Sequence, residues 1–335
     1  MTTSIREVAS LAGVSVGTVS NVLNRPEKVT ESTVVRVREA IAELGFVRND
    51  AARQLRAGQS KSIGLIVLDV RNPFFTDLAR GAEDAAALAG LSVILGNSDE
   101  KADRESAYLD LFEQQRMHGV LISPFGDVTK QLARLRERGI PAVLVDRTSG
   151  GTAYSSVSVD DVAGGNLAVK HLIAQGRRSI AFVGGPMQIR QVADRLEGAR
   201  KASEQHPDVR LEVIETAALS VIEGRAAGRA ILDRASADRP DAVFAANDLI
   251  AMGVLQALNM QGAVHVPEHI ALIGYDDIDF ASASVVPLSS IRQPSALIGK
   301  TAVEILIREA EEPSLAPQQV VFQPELVVRA STVGS

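Results

Sequence analysis

Residues 5–24 read IREVASLAGVSVGTVSNVLN, and the punctuation of this stretch decides the N-terminal fold. Ile5, Val8, Ala9 and Leu11 fall near helical spacing before Ala12-Gly13-Val14 breaks the run. Ser15 suits the N-cap of a second short helix, Val16 to Leu23, because its hydroxyl can accept an orphan N–H of the first turn. Val19, Val22 and Leu23 form the inner face of that helix, and Asn24-Arg25-Pro26 ends it. A third helix begins at Thr30 with Glu31 in its first turn. It carries Val34, Val37, Ile41 and Leu44 on one side, and Gly45 closes it. Two short helices joined by a tight Gly-containing turn, braced by a third, describe a helix-turn-helix module.

Such a module lays its second helix in the major groove of DNA, with its N-terminal residues at base edges. The exposed positions are then Val16, Gly17, Thr18, Ser20 and Asn21, with Ser15 and Asn24 at the two ends of the helix. Asn can bind adenine through two hydrogen bonds, Val can touch a thymine methyl, and hydroxyls suit phosphates. Gly17 has no side chain to read with and permits close approach. The competing reading is a three-helix cap with no nucleic-acid role.

Outward from the head lies AARQLRAG, residues 51–58. Two turns of helix are too short to persist alone in water, since nucleation costs more than so few hydrogen bonds return. Leu55 also stands between Arg53 and Arg56 in what reads as a linker, an odd place for a large apolar side chain.

The whole chain has 335 residues, long enough for two or three domains, and is 46% hydrophobic, ample for a packed core. It has no cysteine, which removes disulfides, thiolate metal sites and cysteine nucleophiles together. No stretch of about 18 apolar residues suggests a membrane span. Arg6 and Glu7 stand where a signal peptide would begin its apolar run, so a cytoplasmic protein with no membrane partner is expected. The net charge of −6 is unevenly spread. Residues 1–60 hold eight Lys/Arg and six Asp/Glu, a net of +2, and the remaining 275 carry −8. A basic head on an acidic body is the asymmetry expected if only the head meets nucleic acid.

From residue 62 short β-branched runs alternate with helical stretches. Residues 63–68, 91–95, 119–123 and 141–145 read as buried parallel strands, with helices over 76–89 and 103–115. The rhythm restarts after Asp160-Asp161, with strands at 179–183, 211–214, 242–245 and 270–273 and helices to 174, over 222–235 and over 249–260. Two successive sets predict two doubly wound lobes, whose ligands bind outside the carboxyl ends of the strands. Those ends are polar: 69–75, Asp146-Arg147, Gly184-Gly185-Pro186 with Arg195 beyond, Asn247-Asp248 and Tyr275-Asp276-Asp277. Carboxylates and guanidinium groups bond neighbouring hydroxyls, and Phe faces suit the C–H face of a sugar ring. A small polyhydroxylated ligand between the lobes is the natural inference.

The N-terminal pattern from Ile5 to Asn24, and Leu44-Gly45-Phe46 with Asn49, Ala52, Arg53 and Leu55, resemble the lactose/galactose repressor (LacI/GalR) family, and the match runs over essentially the whole chain. The resemblance implies a helix-turn-helix domain at 1–47, a hinge segment at 48–60, and a two-lobed α/β domain at 61–335 like the periplasmic sugar-binding proteins. Lobe 1 is then about 61–160 and 293–320, and lobe 2 about 161–292 and 321–335. It implies a hinge that folds into a helix only on operator DNA, where Leu55 wedges into the minor groove flanked by Ala52, Arg53 and Arg56; wedging of this kind kinks a duplex. The family usually has Pro before the hinge Asn, and this chain has Arg48. Carried over by motif, Asn72, Phe74, Phe75, Asp146, Arg147, Arg195, Asn247, Asp276 and Gln293 are the ligand contacts. A second arginine common in the family is Ala193 here, and the set is closer to the ribose-type pattern than to the purine type.

No phosphate-cradling or dinucleotide-binding glycine motif occurs, no Gly-x-Ser-x-Gly elbow, and no metal-spaced pair among the five histidines. No catalytic residue, metal or cofactor is assigned. The expected protein is a ligand-responsive transcriptional repressor, not an enzyme, that binds a palindromic operator. The last strand-like run, 326–328, is followed by no heptad tail, so a homodimer is expected. Two alternatives stay open: a nucleobase or a phosphoprotein as effector, and a cytoplasmic sugar sensor whose head contacts protein rather than DNA.

Overall fold

The structure is a computed structural model and describes residues 3–46, 60–148, 151, 153–260 and 264–333. The chain divides into two units, residues 1–59 and 60–335. Arg48, Ala52, Arg53, Leu55 and Arg56 lie outside the described residues.

The first unit holds α1 (Ile5–Leu11), α2 (Val16–Asn24), a single 3₁₀ turn at Pro26–Lys28 and α3 (Glu31–Leu44). Caps set these limits. Ser4 and Glu7 form a reciprocal capping box at α1, and the Ser15 hydroxyl accepts the Thr18 N–H at 3.1 Å at α2. Gly45 closes α3 with φ +57°, a conformation that favours glycine. Val8, Ala9, Ala12, Val19, Val22, Val37 and Ala40 form the small core. Leu11, grouped with the apolar face from its spacing, is instead 46% exposed: the helix ends at it, and the turn carries it away from the core.

The second unit is built on two six-stranded sheets. The first sheet has strand order β11-β5-β4-β3-β1-β2, all parallel: β1 (Ser62–Val67), β2 (Ser92–Asn97), β3 (Gly119–Ile122), β4 (Ala142–Val145), β5 (Ser155–Val159) and β11 (Gln319–Phe322). The second has order β12-β10-β9-β8-β6-β7: β6 (Ser179–Gly184), β7 (Arg210–Glu215), β8 (Ala242–Ala245), β9 (Ala271–Asp276), β10 (Ser289–Arg292) and β12 (Glu325–Val327). It departs from the all-parallel expectation at its edge, where β12 runs antiparallel to β10. The chain passes between the sheets three times, after β5, after β10 and after β11. Val321 and Phe322, expected in lobe 2, pair with β5 in the first sheet, so the last passage falls two residues later. Strands β5, β10 and β11 were not anticipated; their Ser-rich or short runs gave no clear apolar signature.

Among the described residues ten further α-helices follow the head: α4 (Pro73–Leu88), α5 (Ala102–Gln114), α6 (Thr129–Glu137), α7 (Asp161–Ala174), α8 (Arg190–Ser203), α9 (Val221–Leu232), α10 (Asp248–Met260), α11 (Asp279–Ala283), α12 (Ser295–Glu311) and α13 (Ala330–Val333). Glycines let certain pairs approach backbone to backbone. A Cβ on Gly165 of α7 would lie 2.0 Å from the Arg195 carbonyl oxygen of α8, and one on Gly198 would lie 2.0 Å from that of Val162. Gly81 of α4 and Gly299 of α12 repeat the reciprocal arrangement in the first lobe. These crossings hold α4 and α8, the two helices that carry site residues, at fixed depth beside their sheets. Among the described residues no helix is long and apolar enough to cross a membrane.

Candidate ligand cleft and nucleic-acid interface

The carboxyl ends of both sheets face one another, and the cleft between the lobes is lined from both. Leu68, Asp69, Asn72, Phe74, Phe75, Glu100 and Asp146 come from the first lobe; Ile189, Gln191, Val192, Arg195, Leu219, Asn247 and Asp276 face them from the second. The space they surround is about 410 Å³, its opening to solvent included. Of the nine residues expected at the ligand, the structure brings seven together on this lining.

Asn72 does two things at once. Its Oδ1 accepts the Phe74 N–H at 3.1 Å, capping α4 ahead of Pro73, while its Nδ2 donates to Asp276 Oδ2 at 2.8 Å across the cleft. Gln293 donates to the other Asp276 oxygen at 2.7 Å. It stands behind the carboxylate and not on the lining, so its place is support of Asp276. Asp276 and Asp146 have φ values of +103° and +57°, a region unfavourable for side chains other than glycine's. Strain at strand ends that converge on a cleft turns both carboxylates inward and is held by the surrounding sheet.

Arg195 is 4% exposed. Its Nε donates to Asp161 at 2.8 Å, its Nη1 to the Ala246 carbonyl at 2.8 Å, and its Cζ lies 3.7 Å from the Tyr275 ring centroid. Its Nη2 stands 3.9 Å from Asp276. Burial opposes its charge, but Asp161, Tyr275, Asp276 and Asp146 outweigh that and hold it firmly protonated. Burial pushes the carboxyls of Asp146 and Asp276 up; Asp161 adds to the rise at Asp146, and Arg195 opposes the rise at Asp276. Asn247 accepts the Ile250 N–H at 2.9 Å and reaches the Leu219 carbonyl at 3.4 Å.

Arg147 does not line the cleft. Its guanidinium donates to the Gly126 carbonyl at 3.1 Å and lies 3.5 Å from that of Pro124, within the first lobe. The loop after β3 lies within its reach, and its positive charge is directed there. Three lining polar residues were missed: Asp69, Glu100 and Gln191. Gln191 is 3% exposed and donates across the cleft to the Asp146 carbonyl at 2.5 Å and to Asp146 Oδ2 at 2.8 Å. The available signal was its spacing: Gln191 is i, i+4 with Arg195 and so shares its helix face. Asp69 stood in the strand-end stretch already noted, and Glu100 offered no such cue.

On the head, Val16, Gly17 and Asn21 are exposed along α2, while Thr18 and Ser20 are half-buried. A Cβ on Gly17 would meet nothing closer than the Ser15 hydroxyl at 3.6 Å, so its smallness is not demanded by packing. Ser15 and Thr18 hydroxyls bond one another at 2.9 Å. Asn24 turns its amide back to the Ser20 carbonyl at 2.8 Å, which commits that donor to its own helix. Arg6, Arg25, Lys28, Arg36 and Arg38 are all exposed on this unit.

Residues 4–49 match the family of bacterial regulatory proteins, lacI family, and residues 169–332 match a periplasmic binding protein-like domain. The ribose operon repressor of Bacillus subtilis (strain 168) is 36% identical over 98% of this chain and 98% of its own. A lac repressor dimer bound to operator and the anti-inducer ONPF superposes with a TM-score of 0.84 at 26% identity, covering 100% of both chains. A regulator from Enterococcus faecium with bound ribose gives a TM-score of 0.74 at 29% identity over 82% of this chain and 99% of that one.

Proposed function

The chain belongs to the lacI family of bacterial regulatory proteins, and from that premise we propose that it is a cytoplasmic, dimeric operator-binding repressor whose effector is a pentose, ribose first among them. The observation that carries the effector assignment is the cross-lobe pairing of Asn72 with Asp276 and of Gln191 with Asp146, beside two Phe rings. Convergent carboxylates and amides match the donors and acceptors of a small polyol, and Phe74 or Phe75 offers an apolar face to its ring. Arg195 and Asn247 complete the polar wall, with Gln293 holding Asp276 from behind. The ribose-bound regulator that resembles this chain supports the same class.

In this reading Val16, Gly17 and Asn21 approach base edges, while Ser15, Thr18 and Ser20 serve the phosphates. Residues 48–60 form the hinge, with Leu55 as a minor-groove wedge flanked by Ala52, Arg53 and Arg56. Effector held by both lobes changes their closure, and closure biases whether paired hinge segments can fold on DNA. Operator affinity and effector affinity are then coupled reciprocally. The dimer is supported by apolar side chains left outside each lobe: Leu88 at 91% exposure and Ile94 and Leu95 on edge strand β2, with Phe280 at 56% and Val285 at 92% on the second lobe. A symmetric dimer asks for a palindromic operator. No step of this function requires catalysis.

Thermal unfolding against a panel of pentoses, hexoses and nucleobases tests the assignment. Ligand at 100 times its Kd adds about 2.7 kcal/mol, enough to raise the midpoint by several degrees. Ribose is expected to stabilise the chain, with the effect abolished in Asp276→Ala. Stabilisation by a nucleobase and silence across the pentoses would overturn it.

A further inference from the structure

Asp69 and Glu100 form an acidic rim on the cleft that the ligand contacts described above do not use. Both line the cavity from the first lobe. Glu100 and its neighbour Asp99 each adopt φ +54°, two successive left-handed residues in the turn after β2. This costly turn places Glu100 on the lining, where the Leu219 N–H of the opposite lobe favours its charged form.

The cations nearby are committed elsewhere. Arg71 binds Asp69 through Nε at 2.9 Å and reaches Asp99 at 3.2 Å; Lys101 and Arg104 also pair with Asp99, at 2.8 and 3.2 Å. Among the described residues none forms an ion pair with Glu100. Burial pushes the Glu100 carboxyl up to about 7, and Asp69 adds to the rise while the Leu219 N–H and Arg71 oppose it. Asp146 and Asp276 face the same space, and Asp146 Oδ1 is buried with no hydrogen-bond partner among the described residues. Arg195, the one guanidinium on the lining among the described residues, gives its Nε to Asp161 and its Nη1 to the Ala246 carbonyl. Among the described lining residues, four carboxyl groups, of Asp69, Glu100, Asp146 and Asp276, stand against the Arg195 guanidinium.

Resting on the polyol reading above, we propose that Glu100, seconded by Asp69, is a specificity-determining residue that admits uncharged, hydroxyl-rich sugars and rejects their phosphate esters. An uncharged sugar supplies the hydroxyl donors these carboxylates lack. A phosphate carries about −1.5 to −2 charges near neutral pH and brings none of the donors. Placed within several ångströms of an unpaired carboxylate in a poorly solvated cleft, it meets like-charge repulsion at an effective dielectric well below that of water. Discrimination here comes from a repulsive element built against the wrong ligand, not from a missing contact.

The test is calorimetric titration of the full chain at pH 8 and constant ionic strength with ribose and with ribose 5-phosphate, using wild type, Glu100→Gln and Glu100→Lys. Wild type is expected to bind ribose on the order of 100-fold more tightly than the ester, a ratio equivalent to two decades at 1.4 kcal/mol each. Glu100→Lys should cut that ratio at least ~10-fold, with Glu100→Gln between the two. An unchanged ratio in both variants, with ribose still bound, would mean that size and not charge excludes the ester, and the inference falls. Equal wild-type affinity for both ligands overturns it too. If neither pentose binds, the pentose reading fails separately. Matched pairs of glucose or fructose and their 6-phosphates then decide the charge inference by thermal shift: a neutral member that stabilises more upholds it, and a stronger ester or silence from every pair removes it.

Discussion

Replacing Asn72 separates two interactions that one side chain makes. Asn72→Ser keeps an oxygen able to accept the Phe74 N–H but is too short to reach Asp276, whereas Asn72→Ala loses both. A hydrogen bond to a charged group contributes about 1.5–3 kcal/mol, and an N-cap typically about 1 kcal/mol. Asp276 is 6% exposed, so the lost donor leaves Asp276 Oδ2 without its amide partner in a dry cleft, and the upper part of the range applies if the lobes stay together. The lobes can also part, letting water replace Asn72, and the free energy of opening sets a ceiling on the cost. The expected losses are therefore about 2 kcal/mol for Asn72→Ser and about 3 kcal/mol for Asn72→Ala. Urea unfolding of the ligand-free chain, read by midpoint at constant m, measures both. Full stability in Asn72→Ser would refute the cross-lobe bond, and equal losses in the two variants would refute the cap.

Other outcomes follow from the same geometry. Gly165→Ala drives a Cβ into the Arg195 carbonyl and Gly81→Ala drives one into that of Ala296, so each should cost about 1–3 kcal/mol or more. Each displaces a helix that carries cleft residues, α8 with Arg195 and α4 with Phe74 and Phe75, so both should also weaken ribose binding; unchanged affinity in Gly165→Ala would show that Arg195 is not held in place by that crossing. Leu55→Ala should weaken specific operator binding far more than binding to bulk DNA, measured by electrophoretic shift with and without competitor, and an equal loss on both would remove the wedge. Because the Glu100 carboxyl is raised in the folded chain, the native state keeps its proton after the unfolded chain has lost it. Stability from this group is present below its ordinary pKa and declines as pH rises towards about 7. Asp146, Asp161, Asp248 and Asp276 are raised for the same first reason, burial, and act in the same direction. The midpoint should therefore fall between pH 5 and pH 8, more steeply in wild type than in Glu100→Gln; parallel curves would mean that Glu100 is solvated.

By itself the sequence determined what is local. The caps at Ser15 and Gly45 and the apolar spacing of Val19, Val22 and Val37 are decided within a turn or two of chain, so the head was legible almost to the residue. Continuous buried strands such as β1, β3 and β4 announce themselves for the same reason. β5 does not: its sequence is SSVSV, serine at three of five positions yet wholly buried. Ser155 is satisfied by Glu309 and Ser156 by Gln319, partners more than 150 residues later that arrive only when the chain returns to the first sheet. The ligand cleft divides along the same line. Asn72, Asp146, Arg195, Asn247 and Asp276 carry motifs that the family resemblance could transfer one by one. That Arg147 turns away, that Gln293 stands behind, and that Gln191 reaches across could be decided only by tertiary structure, because each depends on what the fold sets beside it: a loop of its own lobe for Arg147, a strand-end carboxylate for Gln293, the opposite lobe for Gln191. A polar side chain in the sequence states what bonds it can make, and the fold alone states what it can reach.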